Sequence, residues 1–379
     1  MPDETPSQSL ATNHRPASWL AAGRQFEYAS PPSQPQSLTS SFRFPSDCAD
    51  ILPERGQPCP RVPGGPVPTR GLGGPRSGGG GHALSRLVRS AALVLVTGSA
   101  LAVFAAESAT KLGDALLLHA SFDKGLNADV AAGDPVLYHA PTGNRKEVRA
   151  GLPEDNLVTL AKGEGRFGDA LRFHKKMRPV VFFRGEKNLG YRTNQWSGAV
   201  SLWLRLDPDA DLEPGYCDPL QFVGQAWEEG NMFIEFSKDH TPRHFRYAIL
   251  PVRRFWNPQN RGWEDIPEPE RPMVAVHQPP FRRDRWTHVA FSFGNLNSGE
   301  KNAWGKLYLD GQLQGEFTGW LGNFNWDVTQ SALTLGYSYV GWLDDVAVFN
   351  RPLTDGEVRE LFTRPGGVAE LKPARANAP

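Results

Sequence analysis

Aromatic side chains crowd one stretch of this 379-residue chain: Trp227, Phe233, Phe236, Phe245, Tyr247, Phe255, Trp256 and Trp263. Within it, Trp256, Asn260, Arg261 and Trp263 set two flat indoles beside an amide and a guanidinium. Such rings stack on the C–H face of a pyranose while the polar groups hydrogen-bond its hydroxyls, so these four are the expected ligand-binding residues. The string Trp320-Leu321-Gly322-Asn323-Phe324-Asn325-Trp326 repeats the recipe. The same rings equally suit a covering role over a core, as most aromatics do.

Other chemistry is weaker. Glu228-Glu229 and Glu264-Asp265 with Glu268 and Glu270 are adjacent or broken by Pro, so no strand places an acid and a nucleophile on one face. His240-Thr241-Pro242-Arg243-His244 has the spacing of a helical zinc pair, but Pro242 interrupts it and no Glu follows the first His. Cys217 lies in Tyr216-Cys217-Asp218-Pro219, which carries no signature of a catalytic thiol. No Gly-rich loop opens a helix, and catalytic residues are expected to be absent.

The elements that must position these groups are strands. From Ala115 onward, short apolar runs alternate with turn residues, the spacing of a sandwich. Val200, Leu202, Leu204 and Leu206 share one face of their run, while Ser201, Trp203 and Arg205 share the other, which predicts one buried and one partly polar face. Asp310-Gly311 supplies the two positive φ angles of a tight hairpin. Thr354-Asp355-Gly356-Glu357 is a capping box that opens one short helix carrying Val358, Leu361 and Phe362. Between residues 225 and 281 eight prolines prevent long ladders, so this segment reads as one or two strands with decorating loops inside a single domain.

Several strings, taken in order, resemble the laminin G-like jelly roll of the concanavalin A-like lectin and glucanase superfamily. They are Gly168-Asp169-Ala170-Leu171-Arg172-Phe173, Ala199 to Leu204 with Trp203, Trp286-Thr287-His288-Val289-Ala290 with Leu307-Tyr308-Leu309-Asp310-Gly311, and Gly341 to Leu353 with Asp344-Asp345-Val346. The resemblance covers roughly Leu116 to Phe362. It implies an all-β jelly-roll sandwich of two antiparallel sheets with one short C-terminal helix, often with carbohydrate or protein binding. It also implies that Asp344 stands where members with a structural Ca²⁺ use a carboxylate ligand, with Asp123 close by. A plain alternative has Asp344 and Asp345 capping a strand edge or pairing with Arg351. The paired carboxylates of the family's hydrolases, E-x-D-x-x-E, do not occur in this sequence.

Composition divides the chain. Residues 1–82 hold 14 Pro and 11 Gly and no Lys, a disordered extension by composition and no basic nucleic-acid tail. Arg86 and Arg89 precede the uncharged run Ser90 to Ala106, so residues 84–106 read as a signal peptide or membrane anchor, and the following domain as secreted, periplasmic or cell-surface. A start at Leu84 or Val88 would leave residues 1–83 untranslated. The jelly roll is expected over 112–363 and a disordered tail over 364–379. With 41 basic and 41 acidic residues overall, a polyanion-binding surface is unsupported. The expected function is a secreted, non-catalytic module for a glycan or cell-envelope surface. A structural, adhesive domain that binds protein is the alternative, ahead of a glycan-degrading enzyme.

Overall fold

The computed structural model describes residues 112–371, so the expectations for 1–82 and 84–106 fall outside them. Side-chain alternation builds the sandwich. Along Trp196–Arg205, Val200, Leu202 and Leu204 are fully buried and meet Leu220, Phe222 and Ile234 of a facing sheet. Each such side chain withdrawn from water stabilises the fold by about 1.5–3 kcal/mol.

The first sheet has nine strands, and its main path runs Gln312–Trp320, Ala303–Leu309, Thr287–Leu296, Trp196–Arg205, Gly341–Phe349, Leu116–Ala120, Val130–Ala131. The second has eight, running Met273–Val276, Phe245–Leu250, Asn231–Phe236, Cys217–Val223, Ala332–Tyr337, Val180–Arg184, Leu137–Ala140, Arg149–Ala150. Neighbouring strands are antiparallel, including the first and last of the domain, where His119 lies opposite Ala347. This is a concanavalin A-like β-sandwich with a short C-terminal helix.

The hairpin at Asp310-Gly311 forms as its residue types require, with φ of 48° and 75°. The helix Asp355–Thr363 starts at the capping box, where Thr354 Oγ1 accepts the Glu357 N–H and Glu357 accepts the Thr354 N–H. It buries Val358 and Leu361 on the outside of the first sheet, against Ala199, Ala290, Tyr308 and Phe349. That sheet therefore has no solvated face at its centre: the partly polar face expected from alternation is there, with Ser201, but it too is covered. Small residues admit the helix, and Ser201 Oγ and His288 Nε2 pair at 2.9 Å beneath it.

The packed domain reaches beyond residue 363. Val368 and Leu371 are buried in the same cluster, so the segment expected to be loose from 364 is held as far as Leu371. The edges of the two sheets also approach one another: a Cβ at Gly315 would lie 2.9 Å from a Val274 methyl. No helix among the described residues is long and apolar enough to cross a membrane.

Candidate ligand-binding site

Three connections converge at one end of the second sheet. The turn Trp227–Glu229 joins Cys217–Val223 to Asn231–Phe236, the short helix Arg253–Trp256 follows Phe245–Leu250, and a loop through Asn323 and Asn325 follows Gln312–Trp320. Backbone bonds tie them together: Val252 N–H donates to Asn323 O at 2.8 Å and Asn325 N–H to Glu229 O at 2.9 Å. Trp326 Nε1–H donates to Gly230 O at 2.8 Å, and its ring packs on Trp196. Between them lies a cleft of about 420 Å³ lined by Glu228, Glu229, Arg254, Phe255, Asn323 and Asn325.

Its chemistry is amide, carboxylate and guanidinium beside flat rings. Asn323 Oδ1 is buried without a hydrogen-bond partner, an acceptor whose desolvation nothing within the chain offsets. The Arg254 guanidinium lies 4.8 Å above the Phe255 ring. Trp227, immediately before Glu228, is 45% exposed and stacks on Phe233. Sequence reasoning named Trp227, Phe233 and Phe255 among the aromatics and Asn323 and Asn325 in the Trp320 to Trp326 string, but it missed Arg254, and the convergence depends on three loops distant in sequence.

The four residues expected to bind ligand share one covering segment. Trp256 is 8% exposed and packs with Phe233, Leu250 and Met273 on the second sheet, its ring edge-on to Trp263. Trp263 is half-buried, with the Arg271 guanidinium 4.8 Å above it. Arg261 donates to Glu270 at 2.9 Å, and its N–H goes to Asn257 Oδ1. Asn260 is exposed, in the left-handed region at φ 54°. The segment is thus pinned down, with Trp256 beneath and Asn260 outermost.

A buried network does the pinning. Arg246, on the second sheet, meets Glu235 of the neighbouring strand at 2.7 Å and Glu264 of the covering segment at 3.4 Å. Arg271 meets Glu264 at 3.0 Å, and Tyr216 donates to it at 2.7 Å. Burial works against charge on Glu264, yet the Tyr216 hydrogen bond and the two guanidinium groups hold its carboxyl below the usual range. At Glu235 burial wins over Arg246 and pushes the carboxyl up to about 7. Burial, then the proximity of Glu235, raises Asp218 well above the carboxylate range. Asp218 and Glu235 thus form a carboxyl pair on adjacent strands that no sequence spacing revealed.

The Asp344 and Asp123 expectation resolves into hydrogen bonds. The closing strand Gly341–Phe349 carries a register irregularity between Asp344 and Ala347, and Asp345 adopts φ 51°, a conformation Asp tolerates. Asp344 Oδ2 accepts the N–H groups of Arg166 at 2.6 Å and Phe167 at 3.1 Å, and its Oδ1 accepts that of Asp345. Asp123 Oδ1 accepts the Asp169 N–H of the same loop at 2.8 Å. Three amide donors therefore occupy most of the lone-pair directions of the Asp344 carboxylate, in competition with any cation there. Burial, then the nearby Asp345 charge, raises Asp344 to about 7, against the opposing amides. Asp345 Oδ1 lies 2.6 Å from His119 Nε2 and its Oδ2 accepts the Val368 N–H, which fastens first strand, last strand and C-terminal turn together. Arg351 pairs with Glu357 instead.

Comparison with known proteins agrees with the fold. Residues 188–359 match a family model, of laminin G type, described as the concanavalin A-like lectin/glucanases superfamily. Among solved structures the domain is similar to domain 4 of AbnA, a GH43 extracellular arabinanase from Geobacillus stearothermophilus, in complex with arabinotriose. The two are 16% identical over 65% of this chain and 98% of that one, with a TM-score of 0.41. It is also similar to the ligand binding domain of Botulinum neurotoxin serotype D in complex with N-acetylneuraminic acid, at 12% identity over 67% of this chain and 52% of that one, TM-score 0.41. The chain thus spans about half the length of the toxin structure. No curated protein matches it.

Proposed function

We propose that this chain, whose residues 188–359 match the concanavalin A-like lectin/glucanases superfamily, is a non-catalytic glycan-binding protein that works outside the cell. The observation that carries the reading is the cleft lined by Glu228, Arg254, Phe255 and Asn323, with the exposed Trp227 next to Glu228 in the chain. An exposed indole supplies the stacking face, and Asn323 Oδ1, lacking any internal partner, supplies an acceptor for a hydroxyl. Arg254, Glu228 and Asn325 add donors and acceptors within the same 420 Å³. The extracellular part of the reading rests on the signal-like run Ser90 to Ala106.

The test is a glycan array probed with the full chain and with Trp227→Ala. Binding of a defined glycan class that the variant loses supports the reading. Equal binding by both proteins removes the cleft from it, and a blank array alongside capture of an extracellular protein favours the adhesive alternative.

A second reading, hydrolysis of a glycan, draws on the Asp218 and Glu235 pair, since a carboxyl raised toward neutrality is what a general acid requires. It ranks lower because Glu235 is 4% exposed and already ion-paired with Arg246, beneath the segment that Glu264 anchors. Release of reducing ends from a polysaccharide panel, lost in Glu235→Gln, would promote it.

A further inference from the structure

At the opposite end of the same strands, the hairpin between Asn231–Phe236 and Phe245–Leu250 brings histidines together. Ser237 N–H donates to His244 O at 2.9 Å and His244 N–H to Ser237 Oγ at 3.0 Å, which closes residues 237–244 into a loop. That closure folds His240 back onto His244, their rings 3.8 Å apart and 24° from parallel. The Pro242 that forbids a helical zinc pair is at home in this turn. On the other side, Phe245 pairs with Val276, so the next residues outward, His244 and His277, are cross-strand neighbours with rings 4.4 Å apart. Glu268, from the turn Glu268–Glu270, reaches His277 Nε2 at 2.9 Å.

We propose that His244, His277 and Glu268 form a binding site for a divalent first-row transition metal ion, of which Zn²⁺ is the reference case. Among the described residues, these three bring their ligand atoms within 4.8 Å of one another. Two imidazoles and a carboxylate are a donor set that zinc accepts, with a fourth position left open to water. Ligand atoms around tetrahedral zinc stand about 3.4 Å apart, so the group must contract. The side chains of His277 and Glu268, 59% and 44% exposed, are free to turn inward.

An independent observation points the same way. His244 Nδ1 is buried and has no hydrogen-bond partner, a cost that a metal bond would remove.

Isothermal titration of the full chain with zinc chloride, and absorption spectra with Co²⁺, test the site. One ion should bind per chain, and His277→Ala and His244→Ala should each weaken binding by about 100-fold and Glu268→Gln by about tenfold. Binding should also weaken from pH 7.5 to 5, as protons compete for the rings. His174→Ala, outside the group, should bind like the parent. His277 is exposed enough that its alanine variant should melt with the parent in the absence of metal. No stoichiometric binding, or binding unchanged in His277→Ala, overturns the proposal.

Discussion

Arg246 and Glu235 meet at 2.7 Å with side chains 1% and 5% exposed, an ion pair that water scarcely reaches on the outer face of the second sheet. Removing one partner leaves an uncompensated buried charge. Arg246→Met should therefore destabilise by about 3–5 kcal/mol, and adding Glu235→Leu should recover most of the loss. Denaturant unfolding of the four proteins of this cycle measures it, and additive losses would mean that the pair is not coupled.

The two tryptophans flanking Phe233 should separate binding from stability. Trp227, 45% exposed, should become alanine with a change below about 1 kcal/mol, while Trp256, 8% exposed among Phe233, Leu250 and Met273, should cost about 3–5 kcal/mol. Exposure could not be read from the Trp256 to Trp263 string, because it depends on what that string packs against. Melting curves of both variants decide the matter, and an unaltered melt for Trp256→Ala would show that the covering segment opens readily.

Asp344 offers a test of the calcium expectation. With three N–H donors on its oxygens, the expected outcome is one melting temperature in calcium and in chelator, and equal destabilisation by Asp344→Ala in both. A calcium-dependent rise, abolished in the variant, would instead assign a structural ion there by linkage.

Acid stability should carry the signature of His288. Fully buried, with Nε2 on Ser201 and Nδ1 unpartnered, it is held down to about 3 by burial. Its contribution is complete above the unfolded value near 6.5 and is lost as pH falls toward about 3, at about 1.4 kcal/mol per pH unit. Asp344 and Glu235, raised to about 7, act in the reverse sense, their contribution present below about 4 and lost as pH rises through 7. The difference between parent and His288→Asn isolates the histidine. Parallel stability curves from pH 7 to 5 would contradict its assignment as a buried neutral base.

Legibility followed sequence separation. Asp310-Gly311 and the Thr354 capping box are local chemistry, and both fold as their residue types require. Alternation located the Trp196–Arg205 strand but not the helix over its second face, since Ala199 and Ala290 are compatible with water or with cover. Asp344 was legible as a special carboxylate, whereas two of its three amide partners lie 177 and 178 residues away. Asp218 and Glu235, or His244 and His277, become neighbours only once strand register is known.

The approach of Gly315 to Val274 has a bearing on self-association. Gln312–Trp320 and Met273–Val276 are the last strands of their sheets on one flank, and a strand with open N–H and C=O groups can template growth by another chain. Here the missing side chain at Gly315 lets the two borders meet, while Glu316, paired with Lys306 of the adjacent strand, puts charge on Gln312–Trp320. A charged border that meets its neighbour is a poorer template for a second copy's strand than a flat apolar one.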